Sequence, residues 1–226
     1  MAIIQGTPIT ELDSVIRIEV GKRLEVEFWQ QEDSPNDDVY SLVITEGKPN
    51  AIWEKEIGAA SDPIEYVEMA SIDLCEYIVG SWFYDSASLT LYLHTSTDAD
   101  PGGAGFLFMM LFWKPFSNVI MDVDGIPSEP LIDKGAIPGI TSEISIMSAG
   151  GSRTAFGSIT LKNDNYFFYT DLSLYEYQAK RLECWAGNAG TLFSAFDRYF
   201  VGWTGDIEET DSEMSINIED LRVCVP

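Results

Sequence analysis

The sequence predicts a mainly β protein in which a β-sandwich is followed by a Pro/Gly-rich arm and a second, smaller β unit. Three observations carry this expectation. Six Trp, ten Tyr and twelve Phe favour sheet, because flat rings pack well on a pleated surface. Apolar and polar residues alternate with period two through most of the chain. Between residues 121 and 152 that alternation gives way to proline and glycine. A chain of 226 residues with a 46% hydrophobic fraction can bury one large β core or two small ones.

The elements follow in order. Ile16, Ile18 and Val20 alternate with Arg17 and Glu19, and Leu24, Val26 and Phe28 alternate with Glu25 and Glu27. With Gly21-Lys22 between them they read as a hairpin with one buried and one charged face. Leu89, Leu91 and Leu93 alternate with Thr90, Tyr92 and His94, after a turn at Asp85-Ser86-Ala87-Ser88. Phe106 to Trp113 has no polar face, which predicts a central strand covered on both sides. These elements make residues 1–120 one sandwich domain.

Pro127, Pro130 and Pro138 with Gly125, Gly135 and Gly139, then Ser148-Ala149-Gly150-Gly151-Ser152, make 121–152 an extended connector or arm, since proline cannot donate to a central ladder. Residues 153–226 form the second unit, with strands at Ile159-Thr160-Leu161, Arg181 to Trp185, Tyr199 to Trp203 and Met214 to Ile218. Asp171 to Lys180 is the one helical expectation, and there is no exact internal repeat. The chain stops at Pro226 directly after a strand, which reads either as a tucked-in terminus or as a cut within a longer protein.

Charge narrows the partners. Thirteen Lys and Arg face 37 Asp and Glu, a net charge of -24. The excess is spread along the chain: 6 basic against 20 acidic residues in 1–120 (net -14), and 7 against 17 in 121–226 (net -10). Nucleic-acid affinity comes mostly from neutralised phosphates, so sequence-specific binding to DNA or RNA is not expected. Anionic membranes are disfavoured for the same reason. The longest apolar run, Ala104 to Trp113, is ten residues against the roughly 20 of a spanning helix. The start at Met1 lacks the basic and apolar regions of a signal peptide. Cys75, Cys184 and Cys224 are widely spaced and odd in number. They read as buried thiols of a protein folded in reducing cytoplasm rather than as a zinc or disulfide framework.

Catalytic motifs are sparse. His94 is the sole histidine and lies mid-strand without a Gly-x-Ser-x-Gly elbow, which predicts a hydrogen-bonded sheet-face residue. Carboxylate pairs occur at Asp98 with Asp100, at Asp122 with Asp124, and in Glu208, Glu209, Asp211 and Glu213. With 37 acidic residues, chance supplies many pairs of glycosidase-like spacing. Asp122-Val123-Asp124-Gly125 starts like a calcium loop but lacks the later ligands, so a plain turn is expected and no metal or other cofactor. Gly102-Gly103-Ala104-Gly105 precedes a strand, so no helix N-terminus awaits a phosphate.

Two segments carry a family likeness. Trp82-Phe83-Tyr84-Asp85, Leu91-Tyr92-Leu93-His94 and Asp98-Ala99-Asp100-Pro101 resemble a Trp-x-Tyr-Asp, Leu-Tyr-x-His, Asp-Pro pattern of tail-tip and minor tail proteins of tailed bacteriophages. Gly157 to Phe167, Phe200 to Ile207 and Ile216 to Asp220 resemble the repeating unit of hub-type tail domains. Where that family has an Asn-x-Asp-Gly turn, this chain reads Asn163-Asp164-Asn165-Tyr166, with Asn165 where glycine would ease a positive φ.

The resemblance implies that residues 153–226 form a hub-type small β-barrel. It also implies a structural virion component of a tail tip or baseplate, with no enzymatic role. Such a chain would assemble in the host bacterial cytoplasm as a homo-oligomer, a trimer before a hexamer, around the DNA channel and against other tail proteins. Its structural residues would be Trp82, Tyr84, Asp85, Tyr92, Asp100, Pro101, Asn163 and Asp164. Gly202 and Gly205 would permit a bend or close approach, and Trp185 and Trp203 would fill the barrel core. Two other readings remain open at this level: a sugar- or receptor-binding sandwich stacking rings on Trp53, Trp82 or Trp113, and a carboxylate-pair hydrolase.

Overall fold

The structure, a computed structural model, describes residues 12–24, 29–32, 38–57, 62–98, 100–101, 105–133, 141–142 and 155–220. The chain is mainly β. In order, its strands are β1 (Leu12–Arg23), β2 (Gln30–Gln31), β3 (Tyr40–Val43), β4 (Ala51–Glu56), β5 (Ile64–Glu65) and β6 (Val67–Glu68). After α1 (Ile72–Glu76) come β7 (Ser81–Asp85), β8 (Thr90–His94), β9 (Phe106–Ser117), β10 (Asp122–Val123), β11 (Ile126–Pro127), β12 (Thr141–Ser142) and β13 (Ala155–Lys162). After α2 (Phe167–Leu174) come β14 (Arg181–Asn188), β15 (Asp197–Glu209) and β16 (Glu213–Asp220).

Two compact units result. One comprises residues 1–19, 114–173 and 177–226; the other comprises 20–113 and 174–176. This division differs from the expected partition at 1–120, 121–152 and 153–226. The reason lies in β1: residues Leu12 to Ile18 pair antiparallel with Asn188 to Leu182 of β14. The first strand therefore belongs to the same ladder as the last ones.

In the unit holding both termini, the ladder runs β12-β13-β16-β15-β14-β1. Alternation along β1 sends Ile16 and Ile18 to one face and Val15 and Arg17 to the other. Ile159, Leu161, Leu182, Cys184, Met214, Ile216 and Ile218 are buried. Val15, Val123, Phe193 and Phe196 form a second apolar cluster, with Met121 and Trp185 packed against it. The stretch expected as an extended arm begins instead as a hairpin. Asp122 and Val123 pair with Pro127 and Ile126, and Val123, Leu131 and Ile132 are buried. Lys162 N–H donates to the Leu131 carbonyl at 2.8 Å and Ile132 N–H to that of Ser117 at 2.9 Å. Residues 121–133 are thus stitched into the fold; residues 134–140 and 143–152 of that stretch lie outside the described residues.

In the 20–113 unit, one ladder runs β9-β4-β5 and a five-stranded one runs β2-β3-β8-β7-β6. No residue from Phe106 to Trp113 is exposed, as the apolar run anticipated, and Phe108, Met110 and Phe112 are buried.

Three local expectations need correction. Strand β1 continues unbroken through Gly21-Lys22, where a turn was expected. Gly21 and Glu176 exchange backbone hydrogen bonds at 2.9 and 2.7 Å, which hold the chain extended; Val26 and Phe28 lie outside the described residues. Leu89 is not a strand residue but an exposed turn residue with φ +55°. Helix α2 starts at Phe167 and stops at Leu174, ahead of the predicted 171–180. Asn163 Oδ1 accepts the Phe168 N–H at 2.9 Å, and the Glu176 pairing pulls the following residues out of helix. The five-residue α1 was not anticipated, although Ser71 is an N-cap whose Oγ accepts the Leu74 N–H at 3.3 Å.

Candidate functional site

The Trp-x-Tyr-Asp segment builds β7, and the Leu-Tyr-x-His segment builds its hairpin partner β8. Trp82 pairs with Leu93, Phe83 with Tyr92, and Tyr84 with Leu91. Trp82 is buried, so it cannot stack on a sugar ring; Trp53 and Trp113 are half-buried. On the opposite face of the hairpin Phe83 and Tyr92 stack, with ring centroids 5.9 Å apart. Asp85 closes the turn: its carboxylate accepts the Ser88 hydroxyl at 2.7 Å and the Ala87 N–H at 2.9 Å. Those bonds, Ser88 first, hold it below the usual carboxylate range.

His94 ends β8 and is buried. Its Nδ1 lies 2.9 Å from the Cys75 carbonyl and its Nε2 2.8 Å from Asp98 Oδ1. The ring thereby ties α1 and the loop after β8 to the sheet, a hydrogen-bonded histidine as expected. Pro101 is buried and Asp100 exposed. Burial first, then the Asp100 and Asp38 charges, push the Tyr40 phenol up.

A second buried polar group in this unit escaped sequence reasoning. Glu54 on β4 is almost wholly enclosed and accepts the Tyr66 hydroxyl on one oxygen and the Ser96 hydroxyl, at 2.6 Å, on the other. Ser96 N–H donates to the Tyr66 oxygen at 2.8 Å. Burial, then Glu54, push the phenol well up.

In the other unit the turn after β13 is the Asn163-Asp164-Asn165-Tyr166 segment. Asn165 has φ +57° and Tyr166 φ +58°, so the left-handed conformation spans the last two residues of the segment. Asn163 is buried and also donates from Nδ2 to the Thr210 carbonyl at 2.8 Å. Asp164 is exposed. Gly202 is buried opposite Leu182 and Asp220. Gly205 lies where the β15–β16 register shifts between Thr204 and Ile207, a bulge of the kind that bends a strand. Trp185 and Trp203 are half-buried, and Trp185 packs against the Phe193 cluster. Both tips of Asp122 and Asp124 are engaged: Asp122 Oδ1 accepts the Gly125 N–H at 2.8 Å, and Asp124 binds Arg17 at 2.6 Å. Asp124 and Gly125 form a turn, as anticipated.

Trp185 lies beside an arginine cluster. Glu183 on β14 is buried and receives Arg17 Nη2 at 2.7 Å, Arg181 Nη2 at 2.8 Å and Arg198 Nη1 at 2.9 Å. Trp185 Nε1 donates to the same carboxylate at 3.2 Å. The Arg17 and Arg198 guanidiniums lie over the Trp185 ring at 5.3 and 5.5 Å. Burial pushes the Glu183 carboxyl up, but Arg17, then Arg181 and Arg198, outweigh it and hold the group below the usual range. The alternation of Arg17 and Glu19 with Ile16 and Ile18 marked a charged face; it did not reveal that Arg17 is closed over.

Searches against family models, curated proteins and solved structures gave no significant match. Among the described residues, no helix is long and apolar enough to cross a membrane.

Proposed function

We propose that this chain is a structural virion component of a bacteriophage tail tip or baseplate, working through its surfaces rather than through catalysis. The observation that carries this reading is the exposure of large apolar side chains on a highly acidic protein. Tyr77 is 83% exposed, Leu192 79%, Ile120 77%, Tyr169 76% and Val43 69%. Side chains so exposed on an acidic skin are available for contact with other proteins. The resemblance of the β7–β8 hairpin and of the β13–β16 segments to tail proteins supplies the kind of partner. In this reading β13 to β16 form the hub-type barrel, copies close a ring, a trimer before a hexamer, and the net charge of -24 makes a lining that DNA passes without adhering.

The commitments of the polar groups support a non-enzymatic role. The sole histidine is tied to a backbone carbonyl and a carboxylate, and Glu183 and Glu54 are each saturated by neighbouring donors. Light scattering on the purified chain, alone and co-expressed with candidate tail proteins, tests the proposal. A defined oligomer or a stoichiometric complex is expected. A monomer at every concentration that ignores all other virion components overturns it.

A further inference from the structure

We propose that the outer edge of the 20–113 unit docks a second protein that offers an extended segment bearing apolar side chains flanked by cations. The edge is built from residues 64–68 and the loop after α1. Ile64, Val67, Leu74, Tyr77, Ile78 and Val79 are between 42% and 83% exposed. Backbone hydrogen bonds tie their segments together: Val67 N–H donates to Gly80, next to Val79, at 3.0 Å, and Ile78 N–H donates to Cys75, next to Leu74, at 3.2 Å.

Two features select the occupant. Among the described residues, strand β5 ends the β9-β4-β5 ladder and β6 ends the five-stranded one, so residues 64–65 and 67–68 are each the outermost strand of one ladder. An outermost strand has backbone groups that an added strand can pair. The rim is acidic: Asp62, Glu65, Glu68 and Asp73 are exposed. Lys48 meets Glu68 at 2.6 Å, and Lys55 is the exposed cation of neighbouring β4. A second copy would set two acidic rims against each other, which like-charge repulsion disfavours; a partner with basic residues around an apolar strip is attracted. The proposal rests on reading the chain as an assembly component and supplies the chemistry of one neighbour.

The test uses the full chain, isotopically labelled, titrated with a short synthetic peptide alternating Lys with Ile and Val. An acidic counterpart with Glu in place of Lys is the control. Amide shifts grouped at residues 64–80 are expected for the basic peptide. Affinity should drop roughly tenfold, about 1.4 kcal/mol, in a Tyr77→Ser/Val79→Ser variant. A Glu65→Lys/Asp73→Lys variant should come to prefer the acidic peptide. Scattered shifts, equal binding of both peptides, or unchanged affinity in the variants would overturn the proposal. Concentration-dependent broadening at these amides without peptide would overturn it in favour of a second copy. A chain that binds the peptide here but joins no tail particle keeps the surface and removes the structural reading; a chain found in the particle with this edge bare does the reverse.

Discussion

Arg17 on β1 stands opposite Glu183 on β14, and its guanidinium reaches the buried carboxylate at 2.7 Å. Taking that carboxylate away leaves three guanidiniums facing each other with no anion between them. Glu183→Ala should therefore cost about 3–5 kcal/mol, the usual penalty for breaking a buried ion pair from one side. Arg181→Ala, at a half-exposed position, should cost less than about 1 kcal/mol. Denaturant midpoints of the two variants measure the difference; equal losses would contradict the geometry.

The same group predicts a pH dependence. Its folded value is depressed, so the unfolded chain binds more protons across that window. The stabilisation is complete above the ordinary Glu value of roughly 4.3 and is lost as pH falls from there through the folded value. The stability gap between the protein and its Glu183→Gln variant should be full near neutrality and shrink in acid. A gap that stays constant into that range would refute the assignment.

Tyr66→Phe tests the other buried carboxylate. The change removes the hydroxyl that donates to Glu54 and that accepts the Ser96 N–H, leaving Glu54 its Ser96 hydroxyl bond and the Ser96 N–H only the longer contact to Glu54 at 3.4 Å. A loss of about 1.5–3 kcal/mol is expected. Thermal or chemical melts that barely move would show that water replaces the hydroxyl.

Asn165 carries the left-handed turn at φ +57°. Asn165→Gly should be neutral or stabilising by up to about 1 kcal/mol, and Asn165→Val should cost about 1–2 kcal/mol, since a Cβ-branched residue tolerates that region poorly. A reversed order in calorimetry would place the turn elsewhere.

The thiols give a chemical check. Cys75 and Cys184 are free and buried; burial pushes both up, Cys184 to about 12. Since the thiolate is the reactive form, iodoacetamide at mildly alkaline pH should spare both in the native protein and modify both in denaturant, as mapped by mass spectrometry. Rapid native labelling of either would mean that its strand or helix opens.

Much of this was legible beforehand. The Leu91 and Leu93 alternation, the apolar β9 run, the Asp85 turn and a tethered His94 are local patterns, and each is visible in a few neighbouring residues. The N-cap at Ser71 was also there to be read, although only Asp171 to Lys180 was expected to be helical. Long-range pairing was not legible. Nothing near Gly21 announces that Glu176 will hold it extended. Nothing near Gly187 announces that the Phe196 ring leaves no room for a Cβ.

By itself the sequence determined a β-rich, acidic chain with its alternating strands and its Asn-rich turn, because period, charge and turn chemistry act over a handful of residues. Only the tertiary structure decided that β1 joins the last strands, that residues 121–133 pack as a hairpin, and that Arg17, Arg181 and Arg198 close over Glu183. The first and last of those outcomes depend on which strands meet across more than a hundred intervening residues, as Arg17 and Glu183 do. That choice is made by the summed burial of whole faces rather than by any local motif.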